Sequence, residues 1–286
     1  MKFTLALAQY APRLGDLTAN LELAHAQIAA ARAAHADLLV FPELALTGYY
    51  LKDLAPTVAM RPTHDDPHFA LLLEASRELD LVISFVEQDA RYRYFISAAY
   101  LAAGSVTHLH RKIYLPTYRL FDDARFFAPG NALRAFDTRF GRMGLLICED
   151  AWHISSPYIL WQDGADFLID VSAGPGYGVA QHAELGSATS VAAFLRAYAE
   201  LLTTFVVFCN RTGVEDGITF WGGSRVIAPN GETLALAPQF ADALLVAEID
   251  PDALRRARLQ FPALRDEQRE LVRRELDRVA RLELAR

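Results

Sequence analysis

The chain has 286 residues, 52% of them hydrophobic and 22% charged, with a net charge of −7. Its length suits one elaborated α/β domain or two small ones, and its apolar content excludes a disordered chain. The acidic balance excludes non-specific nucleic-acid binding, and no apolar run reaches the roughly 18 residues of a membrane span.

The first apolar run, FTLALA, is too short for a signal peptide and has no small-residue cleavage site after it, so a cytoplasmic location is expected. An Ala-rich helix is predicted over 18–35, with Thr18 as its cap. DLLVF then reads as a strand that runs into Pro42 and Glu43. A helix over 67–80 is followed by DLVISFV, which runs into Glu87, and His108 and His110 alternate along a further strand. GLLIC ends at Glu149, DFLIDV at Ser172 and TFVVFC at Asn210, with helices predicted over 155–164 and 188–203. Continuous apolar runs of this length suit strands buried on both faces, between helices or between stacked sheets. The alternation is α/β, and without a linker or charge block the whole of 1–286 is expected to be a single domain. From 251 onwards Arg and Glu are dense, Leu and Val recur at helical spacing, and Pro262 divides the segment. An amphipathic helical segment over 251–286, packed on the body or on a twin subunit, is expected; interleaved acids cancel the field that a nucleic-acid arm would need.

Polar residues cluster at the strand ends. In α/β sheets ligands bind outside the carboxyl ends of strands, so these positions could share one pocket. Two widely separated cysteines make no disulfide framework, and no His/Cys spacing fits a zinc site. Cys148 stands where a buried strand meets the acids Glu149 and Asp150, an edge that simple burial of a thiol does not explain. A thiolate nucleophile needs a base and an oxyanion stabiliser. His25, His35, His64, His68, His108, His110, His153 and His182 each read better as surface or hydrogen-bonded residues than as that base. Glu43, following Pro42 among apolar residues, is suited to a raised pKa and proton transfer, or equally to capping a following helix. Only three of the 28 cationic residues are lysines, so Lys112 is either a chance retention or a compact charge that Arg could not replace.

Taken together, FPELALTGY, HRKIYLP and LLICEDAW resemble the three signature segments of the nitrilase superfamily, the carbon–nitrogen hydrolases. Gln9, Gly15, Asp16 and Asn20 are similar to the family's opening, and Phe220, Gly222 and Ser224 to its late segment, so the likeness covers nearly the whole chain. FPELALTGY, LFDDARFF and CEDAW most resemble the glutaminase domain of glutamine-dependent NAD synthetases. The resemblance implies a four-layer α-β-β-α sandwich in a homodimer or higher homo-oligomer, with no metal or organic cofactor. It makes Cys148 the nucleophile and Glu43 the general base, with Lys112 and the backbone N–H of Glu149 on the oxyanion. A second family glutamate corresponds to Asp123, one methylene shorter; pairing of Asp123 with Arg125 or Arg119 is an equal alternative. Tyr49, Trp152, Ser172, Tyr177 and Asn210 are candidates for the substrate pocket or for core, and the glycines of SAGPGYG for a closely approached pocket wall. Cys209 is expected to be an inert buried thiol. The implied reaction is hydrolysis of a non-peptide C–N bond, most naturally a primary amide of a small molecule. A free-standing glutaminase feeding a separate synthetase is an alternative, as are an acyltransferase and a non-catalytic interaction protein on the same scaffold.

Overall fold

Runs that are apolar on both faces need cover on both sides, and the computed structural model, which describes residues 2–177 and 185–284, provides it with two stacked sheets between helices. The first sheet contains β1 (Phe3–Gln9), β2 (Leu38–Val40), β3 (Asp80–Gln88), β4 (Tyr94–Ala102) and β5 (Ser105–Arg111). The second contains β6 (Phe136–Thr138), β7 (Gly141–Ile147), β8 (Phe167–Ser172) and β9 (Phe205–Asn210). Beyond a hairpin of β10 (Thr212–Glu215) and β11 (Ile218–Trp221), β12 (Arg225–Ile227) and β13 (Thr233–Leu236) extend the second sheet, and β14 (Ala243–Ile249) returns to the first. The orders are β14-β1-β2-β3-β4-β5 and β13-β12-β9-β8-β7-β6. β1, β2 and β3 are parallel, as are β7, β8 and β9.

The buried residues fall into three apolar layers, as a four-layer sandwich demands. Leu5, Leu7, Val40, Val82, Ile147, Ile169, Val171 and Val207 pack between the sheets. Their strand neighbours Ala6, Ala8, Leu39, Leu81 and Ile83 face the helices Leu17–Ala33 and Pro67–Ala75. On the far side Leu146, Leu168 and Val206 face Leu160, Val191 and Leu195, from the helices Ser155–Gln162 and Gly186–Leu202. Side chains alternate across a strand, so one continuous apolar run serves two interfaces.

Several boundaries differ from expectation. Asp16, not Thr18, caps the first helix: its carboxylate accepts from the Ala19 N–H at 3.0 Å from a non-helical position, while Thr18 already lies inside the first turn. The second helix ends at Ala75 rather than 80, because the chain turns and pairs as β3 from Asp80. Residues 252–284 are mainly helical, with Asp252–Gln260 and Arg269–Leu284 on either side of Pro262. No helix among the described residues is long and apolar enough to cross a membrane. His182 and Gly178, both considered above, lie outside the described residues.

Phe167 on β8 stacks on Phe205 of the neighbouring strand at 4.9 Å and meets Phe3 of the opposite sheet edge-on at 5.8 Å. Truncation to alanine empties the interface between the sheets, so Phe167→Ala is expected to cost about 3–5 kcal/mol, read from urea unfolding. A loss under about 1 kcal/mol would contradict this packing.

Candidate active site

The carboxyl ends of β2 and β8, from opposite sheets, meet across the sandwich. The Glu43 N–H donates to the Ser172 carbonyl at 3.4 Å, and the Ala173 N–H donates to Glu43 Oε2 at 2.9 Å. Glu43 Oε1 accepts from Lys112 Nζ at 2.7 Å, and the same ammonium donates to Asp123 Oδ2 at 2.8 Å. Tyr49 completes the row by donating its hydroxyl to Asp123 Oδ1 at 2.6 Å. Glu43 and Lys112 are 0% and 1% exposed, so their charges face one another without screening water. The other two lysines, Lys2 and Lys52, make exposed surface pairs. Asp123 thus pairs with Lys112, and it is the adjacent Asp122 that lies near Arg125.

Cys148 follows β7 with φ 49°, a left-handed conformation that non-glycine residues rarely adopt. The bend turns the chain sharply from strand into the short 3₁₀ turn Cys148–Trp152. Two buried carboxyls brace it. Asp170 on β8 accepts from the Cys148 N–H at 3.0 Å and from the Ser172 hydroxyl at 3.1 Å. Asp150 accepts from the Ile147 N–H at 3.1 Å. Neither brace was anticipated from sequence, although an acid inside the apolar run DFLIDV was a visible signal of a buried polar task.

The electrostatics follow from one cation among several acids. Burial pushes the Cys148 thiol well above its ordinary pKa; the Glu43 charge adds to this and Lys112 opposes it. Burial raises Glu43 as well, against the pull of Lys112. Lys112 is held well above the usual lysine range by Asp123 and Glu43, which together outweigh the burial that would discharge it. Asp170 is raised well above the carboxylate range by burial, with its hydrogen bonds from Ser172 and Cys148 working the other way.

Cys148, Glu149, Trp152, Ser172 and Tyr177 line one cleft, which contains about 30 Å³ of free space. Phe194, Phe208 and Trp221 supply much of its apolar wall, and Gly174 approaches so closely that a Cβ there would lie 3.1 Å from Trp221 Nε1. Tyr49 and Asn210 stand outside this cleft. Tyr49 borders a separate cavity of about 290 Å³ with Asp123 and Phe126. Asn210 is engaged by backbone, accepting from the Gly174 N–H at 2.7 Å and donating to the Gly222 carbonyl at 2.9 Å. Cys209 is wholly buried, and its thiol donates to the Val40 carbonyl at 3.3 Å.

Two β-sheets flanked by helices, with a thiol, an ammonium and a carboxyl from three distant segments buried at one end, define the class: a hydrolase acting on carbon–nitrogen bonds. Residues 4–259 match the carbon-nitrogen hydrolase family, and the chain belongs to it, within the nitrilase superfamily. It is 30% identical over 266 residues to a glutamine-dependent NAD(+) synthetase of Acinetobacter baylyi, covering 92% of this chain and 47% of that protein. It is 27% identical over 274 residues to the N-carbamoylputrescine amidase of Arabidopsis thaliana, covering 90% of each chain. A carbon-nitrogen hydrolase from Helicobacter pylori has a similar fold, with a TM-score of 0.79 at 25% identity over 93% of this chain and 95% of that one. The chain spans about half the length of the NAD synthetases it matches.

Charge removal at the two flanking residues should move the thiol in opposite directions. Glu43→Gln takes away a negative neighbour, so the pH profile of Cys148 alkylation by iodoacetamide shifts to lower pH. Lys112→Met takes away the opposing positive charge, and the profile shifts to higher pH. Intact mass against pH measures both; shifts in the same direction would refute this electrostatic account.

Proposed function

We propose that the chain is an amidase-type hydrolase that cleaves a small primary amide through a thioester on Cys148. The observation that carries this reading is the buried Lys112 ammonium, hydrogen-bonded to Glu43 and exerting its charge on the Cys148 thiol. Glu43, with its raised pKa, takes the thiol proton as sulfur attacks the amide carbonyl, and passes it to the leaving ammonia. An ammonium has three N–H donors; Glu43 and Asp123 take two, leaving the third for the tetrahedral oxyanion beside the backbone N–H of Glu149. Water then enters and Glu43 removes its proton as the oxygen attacks the thioester carbonyl; the C–S bond breaks, the carboxylic acid leaves, and Glu43 returns the proton to the sulfur. Tyr49 holds Asp123, and through it Lys112, from behind.

The cleft also supports a substrate class. Among the described residues lining it, Glu149 and Asp170 are the ionisable side chains besides Cys148 and two tyrosines, and none is basic. Tyr118 donates to both Glu149 oxygens, at 3.0 and 2.9 Å. The Arg119 guanidinium lies over the ring of the lining Tyr177 at 4.7 Å, outside the lining itself; with acids and no base on its described wall, the cleft favours amides with a neutral or cationic acyl chain over anionic ones. A second reading is a glutaminase that supplies ammonia to a separate synthetase, favoured by the 30% identity to an NAD synthetase over 92% of this chain. We take the chain as one domain acting in the cytoplasm as a homo-oligomer; exposed Leu271, Leu276, Val279 and Leu282 on the last helix support a subunit contact there.

The test is to incubate the protein with propionamide, 5-aminopentanamide, glutamine and succinamic acid, following ammonia release and weighing the protein intact. An acyl adduct is expected on the wild type and none on Cys148→Ala. Succinamic acid should be the poorest substrate, and Lys112→Met should lower kcat by about 10²–10³. Ammonia release by Cys148→Ala at the wild-type rate would overturn the mechanism.

A further inference from the structure

The nucleophile's turn leaves a strand of the second sheet, while Lys112 follows a strand of the first, so their separation depends on whatever ties the two segments together. One carboxylate does so. Asp150 Oδ1 accepts from the backbone N–H groups of Ile113 and Tyr114 at 3.0 and 3.1 Å. Its Oδ2 accepts from the Ile147 N–H at 3.1 Å and lies 2.8 Å from His110 Nε2. These partners bracket the reactive residues: His110 and Ile113 stand on either side of Lys112, and Ile147 immediately precedes Cys148. Asp150 and His110 are 0% and 3% exposed, so the four bonds are shielded from bulk solvent. A carboxylate in this position offers acceptors only, about four lone-pair sites for four donors. Capping the local turn would need the Ile147 bond alone; the other three reach across the sandwich.

We infer that Asp150 is a positioning residue, a clamp that sets Lys112 at working distance from Cys148, with His110 as its anchor on β5. The inference builds on the thioester mechanism proposed above. Although burial opposes it, the His110 hydrogen bond and charge hold the Asp150 carboxyl below its ordinary range, which keeps it an acceptor. Asparagine there has nearly the same shape but turns an NH₂ towards N–H donors, which pushes the two segments apart.

The test uses Asp150→Asn, His110→Gln and His110→Phe in the full chain. Turnover is measured on the best amide of the panel above and expressed per reactive thiol, counted by intact mass after iodoacetamide, alongside KM and melting temperature. Asp150→Asn is expected to lower kcat per reactive thiol about 100-fold, with KM within about threefold of wild type, as small misplacements of reacting groups do. His110→Gln keeps a donor for Asp150 and should retain most activity, whereas His110→Phe should lose about tenfold or more. A purely structural role would reduce the melting temperature or the number of reactive thiols while leaving kcat per thiol unchanged; that result overturns the clamp. If Asp150→Asn does not fold, the His110 pair decides, and equal kcat per thiol in both variants overturns the inference. Absence of turnover by the wild type refutes the hydrolytic mechanism separately. The clamp is then judged by the Cys148 alkylation rate, which must fall in Asp150→Asn for the inference to stand.

Discussion

A single buried ammonium between two carboxyls is the constraint around which this end of the sandwich is organised. Lys112 has lost its hydration shell, a loss that only close, well-aligned carboxylates can offset. Glu43 and Asp123 supply that compensation from different segments, so the loop after β2 and the segment after β5 are held in register by the same charge that the proposed chemistry uses. An arginine would present a planar fork too large for a gap closed by Glu43 on one side and a Tyr49-braced Asp123 on the other. In a chain that otherwise favours arginine, this explains why a lysine stands there.

Much of the architecture was legible because burial on both faces leaves an unmistakable pattern. GLLIC has no polar face and DFLIDV departs from that only at its acids, and in the structure their alternate apolar side chains serve the layer between the sheets and the layer under the helices. The strands that escaped notice had weaker patterns. Three-residue β12, half-exposed β13 and the β10–β11 hairpin are too short or too mixed to carry a period. β4 and β14 also went unread: the Ser, Ala and Tyr of YFISAAYLA and the partly exposed ALLVAEI lack the dense β-branched run of the other strands, and β14 is fixed by pairing with β1 at the far end of the chain. Helix ends shifted for local reasons, as when Asp16 took the capping position from Thr18 by standing outside the turn.

At the site, legibility divided along a different line. Glu43 and Cys148 were visible because each ends an apolar run with a reactive group, Lys112 because the chain otherwise writes arginine, and the family resemblance tied the three together. The groups that hold them were not. His110 looked like one of several histidines on a strand, Asp170 like an acid within a strand, and Tyr49 like a pocket aromatic. Their tasks depend on which side chain meets which backbone amide across the two sheets, as between Asp150 and Ile113 or Tyr49 and Asp123, and such pairings are properties of tertiary geometry. Asn210 illustrates the converse: a polar strand end of the expected type is wholly occupied with the backbone of Gly174 and Gly222.

Five carboxyls crowd around one thiol and one ammonium, and the structure keeps them distinct by giving each a different environment. Asp150 meets four donors and remains an acceptor, fit to hold backbone in place. Asp170 has no cation beside it among the described contacts, and burial raises it well above the carboxylate range while it braces the Cys148 turn by accepting the N–H of that residue. Glu43 sits between these extremes: burial raises it and Lys112 pulls it back, the balance a group needs to accept a proton and then surrender it. Asp123 is committed to Lys112 and Tyr49, and Glu149 to Tyr118 at the cleft. Without those separate partners the five would simply repel one another. Separation by local donors turns an unfavourable cluster into a set of groups with different partners around a single reacting centre.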